Sequence, residues 1–226
     1  DESINRGLVF LASQQNADGS FGDGSWGRGV AVTSLAGLAF MADGHMPGRG
    51  RYGSQVRRAL DYVLDRSSES GLLADDQAPS PMYGHGFAAL FLAEVYGMSG
   101  GDEALQERLH EAIVKAVRLI ERSQNEEGGW RYNPVPNDAD VSVTICQVMA
   151  LRSARNAGIE VSSQVIDDAV EYVKLCQNPD GGFRYQARQG SSAWPRSAAG
   201  VATLFYAGEF RDDAIRPGVE YLIREA

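Results

Sequence analysis

The chain has 226 residues, of which 43% are hydrophobic and 23% are charged, a composition typical of a folded globular protein rather than a disordered one. The net charge at pH 7 is -9, so we expect nucleic acid to be repelled, because binding a phosphate backbone needs a basic face. No cluster of lysine and arginine suggests an anionic membrane surface as partner. No uninterrupted apolar stretch in the sequence is long enough to cross a bilayer.

The sequence leaves the compartment open, with a soluble, cytoplasmic protein slightly favoured, and it does not specify an oligomeric state. The two cysteines, Cys146 and Cys176, have neither the spacing of a metal site nor that of a disulfide framework. Both lie in apolar, helical sequence. We therefore predict that they are reduced residues of the hydrophobic core.

A turn motif recurs along the chain and divides it into repeats. The motif consists of Gln, Asn, two variable residues, Gly, a small residue and an aromatic, and it begins at Gln15, Gln124 and Gln177. A degenerate copy begins at Ser67, with Gly71 and Leu73 in the Gly and aromatic positions. This period predicts a single domain of tandem helical repeats. The predicted repeats are about 3–53, 54–103, 104–161 and 162–214, with a partial repeat at 215–226.

Each repeat contains two helices of different character. An amphipathic helix precedes each motif, with one apolar and one charged face, which predicts a half-exposed outer helix. An almost uncharged helical stretch follows each motif, which predicts a buried inner helix. The apolar positions of the outer helices are Ile4, Leu8 and Leu11; Val56, Leu60 and Val63; Ile113, Val117 and Ile120; and Ile166, Val170 and Val173. The inner stretches are 30–42, 86–93, 141–151 and 194–208.

The motif connects each outer helix to the next inner helix. Its glycine can adopt the left-handed conformation that ends a helix. The glutamine amide is expected to bond to carbonyls at the end of the outer helix or to donors at the start of the inner one. The aromatic residue is expected to pack beneath the turn. No strand precedes the glycines and no lysine follows them, so the motif is not a phosphate-binding loop.

The segment 215–226 has the pattern of a fifth outer helix. An aromatic residue or leucine lies five residues before each motif, and Tyr221 matches that position. The expected architecture is an all-α, incomplete ring of four helix pairs plus one helix. We expect either a longer natural protein or an open arc.

The Gln-to-aromatic repeat resembles the repeats of triterpene cyclases and of protein prenyltransferase β-subunits, over about residues 4–226. The resemblance implies an α/α toroid around a central apolar cavity that holds an isoprenoid. Asp138 and Asp140 resemble the first two acids of the Asp-x-Asp-Asp element of bacterial triterpene cyclases, with Val141 in the third acid's place. The resemblance implies catalytic roles for Asp138 and Asp140, and Val141 puts cyclase activity in doubt. The zinc ligands of prenyltransferases have no match, so no metal or other cofactor is expected.

The starts of the inner helices are predicted to converge on one mouth of the cavity. Tyr83, Asp140 and Trp194 occupy similar positions there, with His85 and Arg196 close by. These residues and Phe87 are candidate binding residues, because an acid, a histidine, an arginine and aromatic rings form a polar site in an apolar pocket.

Structural roles compete with each of these assignments. Asp138 or Asp140 could cap an inner helix, which favours an anion rather than a proton donor. His85 could be a buried histidine bonded within the fold, and the aromatic residues could be core. Arg196 could pair with an acid such as Asp140.

Three functions follow from this pattern. The first is a cyclase-like, prenyltransferase-like or carrier protein for an isoprenoid or another apolar small molecule. The second is a structural or interaction module without catalysis. The third is a carbohydrate-active toroid, in which Asp75 or Asp76 would face Asp138 or Asp140 across a cleft.

Overall fold

Helices of two layers alternate along the chain in a computed structural model that describes residues 2–23, 29–76, 78–100, 102–210 and 213–226. The outer helices are α1 (Glu2–Ser13), α3 (Gly53–Leu64), α5 (Glu103–Ser123), α7 (Ser163–Leu175) and α9 (Ile215–Arg224). The inner helices are α2 (Val30–Ala42), α4 (Pro81–Met98), α6 (Val141–Asn156) and α8 (Trp194–Ala207). Across the described ranges the only β-type pairings are isolated bridges, so the predicted all-α fold of four helix pairs plus one helix is confirmed.

The inner helices pack side by side in chain order. Helix α4 lies between α2 and α6, and α6 lies between α4 and α8. Outer helices cover this layer with their apolar faces: Val56, Leu60 and Val63 of α3 are fully buried, as the amphipathic pattern predicts. Ile4 of the outer helix α1 is an exception, since its side chain is 54% exposed. Among the described helices, α1 packs mainly against α2 alone.

The motif aromatic anchors each turn to its inner helix. Phe21, Leu73, Trp130 and Phe183 are all buried, as predicted. Each of them donates its main-chain N–H to a side chain near the start of the inner helix. The acceptors are Thr33 Oγ1 at 3.0 Å, His85 Nδ1 at 3.1 Å, Thr144 Oγ1 at 3.2 Å and Ser197 Oγ at 2.8 Å. These four residues are therefore equivalent positions of the repeat, and we call them the anchor residues.

The motif glutamine connects one repeat to the next. Gln124 Nε2 donates to the carbonyl of Gly128 in its own turn and to that of Val165 in the next outer helix, both at 2.8 Å. Gln15 and Gln177 make the same pair of bonds. The expectation that the amide serves the outer and inner helices of its own repeat is wrong, because the second acceptor belongs to the following repeat.

The motif glycine permits the same close approach. Gly128 has a φ of 94°, and a Cβ built there would lie 2.1 Å from the carbonyl oxygen of Asp168 in α7. The other motif glycines, Gly19, Gly71 and Gly181, approach the next outer helix in the same way. Glycine is therefore required at this position for repeats to stack at this distance.

Residues of one turn also cap the inner helix of the preceding repeat. The first N–H of α2, at Val30, donates to Asp75 Oδ2 at 2.7 Å. Met82 in α4 donates to the Tyr132 carbonyl at 3.1 Å, and Val141 in α6 donates to the Tyr185 carbonyl at 3.0 Å. These bonds satisfy helix N-termini and hold two tyrosines at the ends of inner helices.

Both cysteines are free and buried, as the sequence predicts. Burial raises the pKa of each thiol to about 12, so both carry their protons at neutral pH. Within the ranges described, no helix has the length and apolar character needed to span a bilayer.

Candidate functional site

The inner helices share an uncovered face that is recognised by comparing equivalent positions. Residues five positions after the anchor residues are half-buried in all four inner helices. These residues are Leu38, Leu90, Met149 and Ala202. Because neighbouring inner helices and outer helices cover the other sides, this row lies on the concave face of the inner layer. We call it the apolar row.

One end of the concave face carries polar groups. Tyr83 and Ser142 lie two positions before their anchor residues and are half-buried. Their hydroxyl oxygens are 2.6 Å apart, which bridges α4 and α6. These hydroxyl groups lie near the N-termini of the two central inner helices, seven positions before Leu90 and Met149 of the apolar row.

Asp140 lies directly beneath this end and is fully buried. It is the N-cap of α6, and its Oδ1 accepts the Val143 N–H at 2.9 Å and the Ser142 hydroxyl at 2.6 Å. Its Oδ2 accepts the Tyr185 hydroxyl at 3.1 Å and lies 3.6 Å from Arg131 Nε. These donors all stabilise the carboxylate anion.

Arg131 joins the two candidate acids. Its guanidinium forms an ion pair with Asp138 and contacts Asp140, and Asp138 also accepts from Gln186 Nε2 at 3.0 Å. The guanidinium carbon lies 5.0 Å from the ring centre of Tyr132 and 5.7 Å from that of Tyr185. Two carboxylates and one guanidinium leave this group with a net negative charge.

Three tyrosines surround the polar end, and we call Tyr83, Tyr132 and Tyr185 the tyrosine cluster. The Tyr132 and Tyr185 hydroxyls are hydrogen-bonded to each other, and the rings of Tyr83 and Tyr132 lie with centres 6.0 Å apart. Burial, and the nearby Asp140, raise the pKa of Tyr83; burial and the bond to Tyr132 raise the pKa of Tyr185. Tyr83 and Tyr185 therefore keep their protons at neutral pH.

Residues 10–224 match the family described as the prenyltransferase alpha-alpha toroid domain. The chain belongs to this family. No curated protein sequence matches it.

Solved structures are similar in fold. A protein from Actinoplanes superimposes with a TM-score of 0.59 at 16% identity, covering 99% of this chain and 66% of that one. A variant of the type II terpene cyclase MstE from Scytonema, in complex with geranylgeranyl dihydroxybenzoate, gives 0.62 at 16% identity, covering 99% and 62%. The ent-copalyl diphosphate synthase from Streptomyces platensis gives 0.58 at 20% identity, covering 87% and 37%. This chain spans less than two thirds of each of these proteins.

The structure brings only part of the predicted site together. Tyr83 and Asp140 are linked through Ser142, as the predicted convergence requires. Trp194 is not with them: its Nε1 donates to the Leu222 carbonyl in α9 at 3.1 Å, so the ring turns toward the outer layer. The expectation that Trp194 lies at the same mouth of the cavity as Tyr83 and Asp140 is wrong.

His85 lies inside the wall of the toroid and does not line its concave face. The side chain is fully buried; Nδ1 accepts the Leu73 N–H, and Nε2 lies 3.3 Å from the Ala116 carbonyl in α5. Both ring nitrogens are thus used by the main chain, as in a neutral imidazole with its proton on Nε2. The assignment of His85 as a binding residue is corrected to that of an anchor residue.

Arg196 does not pair with Asp140. It donates through Nη2 to the Ser191 carbonyl at 3.0 Å, whereas the guanidinium beside Asp140 belongs to Arg131. Phe87, one turn after Tyr83 in α4, is half-buried and adjoins the apolar row. The placement of Phe87 therefore agrees with a binding role, which stays a prediction.

Asp75 has no free carboxylate oxygen with which to face Asp140 across a cleft. Its Oδ1 accepts from the Tyr62 hydroxyl at 2.6 Å and from Arg66 Nε at 2.8 Å, and its Oδ2 caps α2. In the described part of the chain, no three His, Cys, Asp or Glu side chains are arranged to hold a metal ion.

Three residues of the site, Arg131, Tyr132 and Tyr185, were not predicted from the sequence. All three follow a motif aromatic within two positions, at Trp130 or Phe183. For Tyr132 and Tyr185 the sequence signal was their common offset, because the residue two positions after the aromatic caps the preceding inner helix. Arg131, one position after Trp130, does not share that offset.

Proposed function

We propose that the concave face of this toroid binds the hydrocarbon chain of an isoprenoid. The observation that carries the proposal is the apolar row across all four inner helices, with the tyrosine cluster near the N-termini of α4 and α6. A prenyl chain of several units matches an extended apolar surface with polar groups at one end. The net negative charge of the chain argues against nucleic acid as a ligand.

The hydrogen bonds of Asp140 favour a capping role over the acid role expected for Asp138 and Asp140. Protonation of an alkene requires a neutral carboxylic acid that reaches the substrate. Asp140 is buried beneath Ser142 and Tyr185, and the groups around it donate to it. Asp138 is held in an ion pair with Arg131. We therefore propose ligand binding without alkene protonation by either aspartate.

The proposal is tested first by what the protein carries after purification. An organic extract of the pure protein, analysed by mass spectrometry, is expected to contain a polyprenyl compound at a substantial molar fraction. An extract without any apolar ligand, together with failure to bind added prenyl compounds, would support a purely structural module instead.

A matched pair of variants locates the binding surface. Met149→Lys places a charge in the middle of the apolar row, whereas Ile223→Lys places the same charge on α9, where Ile223 is 74% exposed. In equilibrium dialysis with radiolabelled farnesol, Met149→Lys should weaken binding by about tenfold or more, because the apolar contact is lost and a charge is desolvated. Ile223→Lys should bind as the wild type does. Equal affinities in both variants would contradict the proposed surface.

A further inference from the structure

Asp140 determines how the protons of the surrounding hydroxyls are oriented. The Val143 N–H and the Arg131 guanidinium can only donate, so the carboxylate accepts as an anion. Each hydroxyl group has a single proton. A hydroxyl that donates to Asp140 must therefore act as an acceptor toward its next neighbour.

The first series of hydrogen-bonded hydroxyl groups connects α4 to α6. Ser142 gives its proton to Asp140 Oδ1 at 2.6 Å, so its oxygen accepts the proton of Tyr83, also at 2.6 Å. Tyr83 is half-buried at the concave face. Its oxygen has no proton left for a ligand and offers lone pairs only.

The second series of hydrogen-bonded hydroxyl groups belongs to the turns after Trp130 and Phe183. Tyr185 gives its proton to Asp140 Oδ2, so its oxygen accepts the proton of Tyr132. Tyr132 is half-buried, and its ring lies beside that of Tyr83. The oxygens of Tyr83 and Tyr132 thus both present lone pairs rather than protons, above a group whose net charge is negative. One lone pair of Tyr132 accepts from Arg131, which leaves one for a ligand.

We propose that the tyrosine cluster selects an isoprenoid whose head group donates a hydrogen bond, a prenyl alcohol in preference to an ether or a diphosphate. This inference rests on the proposed function and names the ligand class of the same site. An ether offers no proton to the tyrosine oxygens. A diphosphate adds further acceptors and negative charge beside Asp138 and Asp140, so it is disfavoured on both grounds.

Three ligands with the same hydrocarbon chain test this selectivity. Equilibrium dialysis with farnesol, farnesyl methyl ether and farnesyl diphosphate should give an affinity about tenfold higher for the alcohol than for the ether, the effect of one hydrogen bond in a partly buried site. The diphosphate should bind about tenfold more weakly than the alcohol, or worse. Equal binding of alcohol and ether, or tightest binding of the diphosphate, overturns the inference and leaves the proposed function standing. Binding of none of the three overturns both.

Asp140→Asn tests whether the carboxylate sets the orientation. The amide keeps an oxygen to cap α6 and gains an N–H that can donate to Tyr185, which frees the protons of Tyr185 and Tyr132 to point outward. The alcohol-to-ether affinity ratio should fall from about tenfold to about threefold or less. Asp102→Asn is the matched control, because Asp102 caps the outer helix α5 by accepting the Leu105 N–H. Its ratio should equal that of the wild type.

Tyr132→Phe gives a second test that does not alter a cap. It removes one outer lone-pair acceptor and leaves Asp140 and Ser142 bonded, so the alcohol should bind several-fold more weakly while the ether is unaffected. An unchanged ratio in both Tyr132→Phe and a folded Asp140→Asn would contradict the proposed orientation.

Discussion

At the scale of single residues, the role of a polar side chain depends on the hydrogen-bonding groups of its immediate neighbours. His85 has the features of a binding residue in the sequence, since it lies between two glycines near the start of an inner helix. The structure gives it the role that Thr33, Thr144 and Ser197 have in the other repeats. Aligning the repeats by their motif aromatics brings His85 within two positions of these residues, so the signal was present in the sequence.

The buried imidazole should make stability depend on pH. Burial lowers the pKa of His85 to about 4, from 6.5 in an unfolded chain. Between these values the unfolded chain binds a proton that the folded protein does not, so stability is lost as the pH falls from about 6.5 to 4, by on the order of 3 kcal/mol. Urea unfolding of the wild type across this range measures the loss.

His85→Thr is the matched control, because threonine is the anchor residue of two other repeats. The variant keeps an acceptor for the Leu73 N–H and removes the titrating group. Between pH 6.5 and 4, the free energy of unfolding of the variant should fall by about 3 kcal/mol less than that of the wild type. A variant with the same pH dependence as the wild type would show that other groups cause it.

Asp140 illustrates a residue whose structural role was among the sequence-based alternatives. Asp140→Ala should cost about 3 kcal/mol, because it removes a helix cap and leaves the donors on Val143, Ser142 and Tyr185, which are buried or half-buried, without that acceptor. Asp102→Ala removes only an exposed cap and should cost about 1 kcal/mol. Chemical denaturation of both variants compares them, and equal losses would mean that the buried network contributes little.

At the scale of helices and turns, the sequence predicts the elements well and their connections less well. The amphipathic and apolar segments predict α3 to α8 because the period of 3.6 residues is a local property. The cap of α2 by Asp75, and those of α4 and α6 by carbonyls of the next turn, each join residues of two different repeats. Such caps cannot be inferred from a local pattern, which is why Tyr132 and Tyr185 were missed.

The motif glycine is expected to be required for stacking as well as for the turn. Gly128→Ala should destabilise the fold by about 3 kcal/mol or more, because its Cβ would meet the Asp168 carbonyl oxygen as well as a left-handed backbone. Gly158 has a similar φ of 88°, and a Cβ added there would meet no heavy atom within 4 Å, so Gly158→Ala should cost only about 1 kcal/mol. Thermal or urea unfolding separates the two effects; similar losses would mean that close approach is not what the glycine provides.

At the scale of the whole molecule, the toroid family and the order of the inner helices follow from the repeat, whereas the composition of the site does not. The sequence predicts that inner helices lie side by side, and this places Tyr83 close to Asp140. It does not predict that Trp194 turns toward α9, because the direction of a side chain at a helix start depends on which neighbour offers an acceptor. The apolar row depends on the common register that the anchor residues give the four inner helices.

The most direct test of the concave face as a ligand surface is photocrosslinking with a prenyl alcohol that carries a diazirine on its hydrocarbon chain, followed by mapping of the labelled peptides. We predict labels in α4 and α6, around Leu90 and Met149, that unlabelled farnesol competes away. Labels confined to the outer helices, or labelling that farnesol does not reduce, would contradict a ligand surface on the concave face.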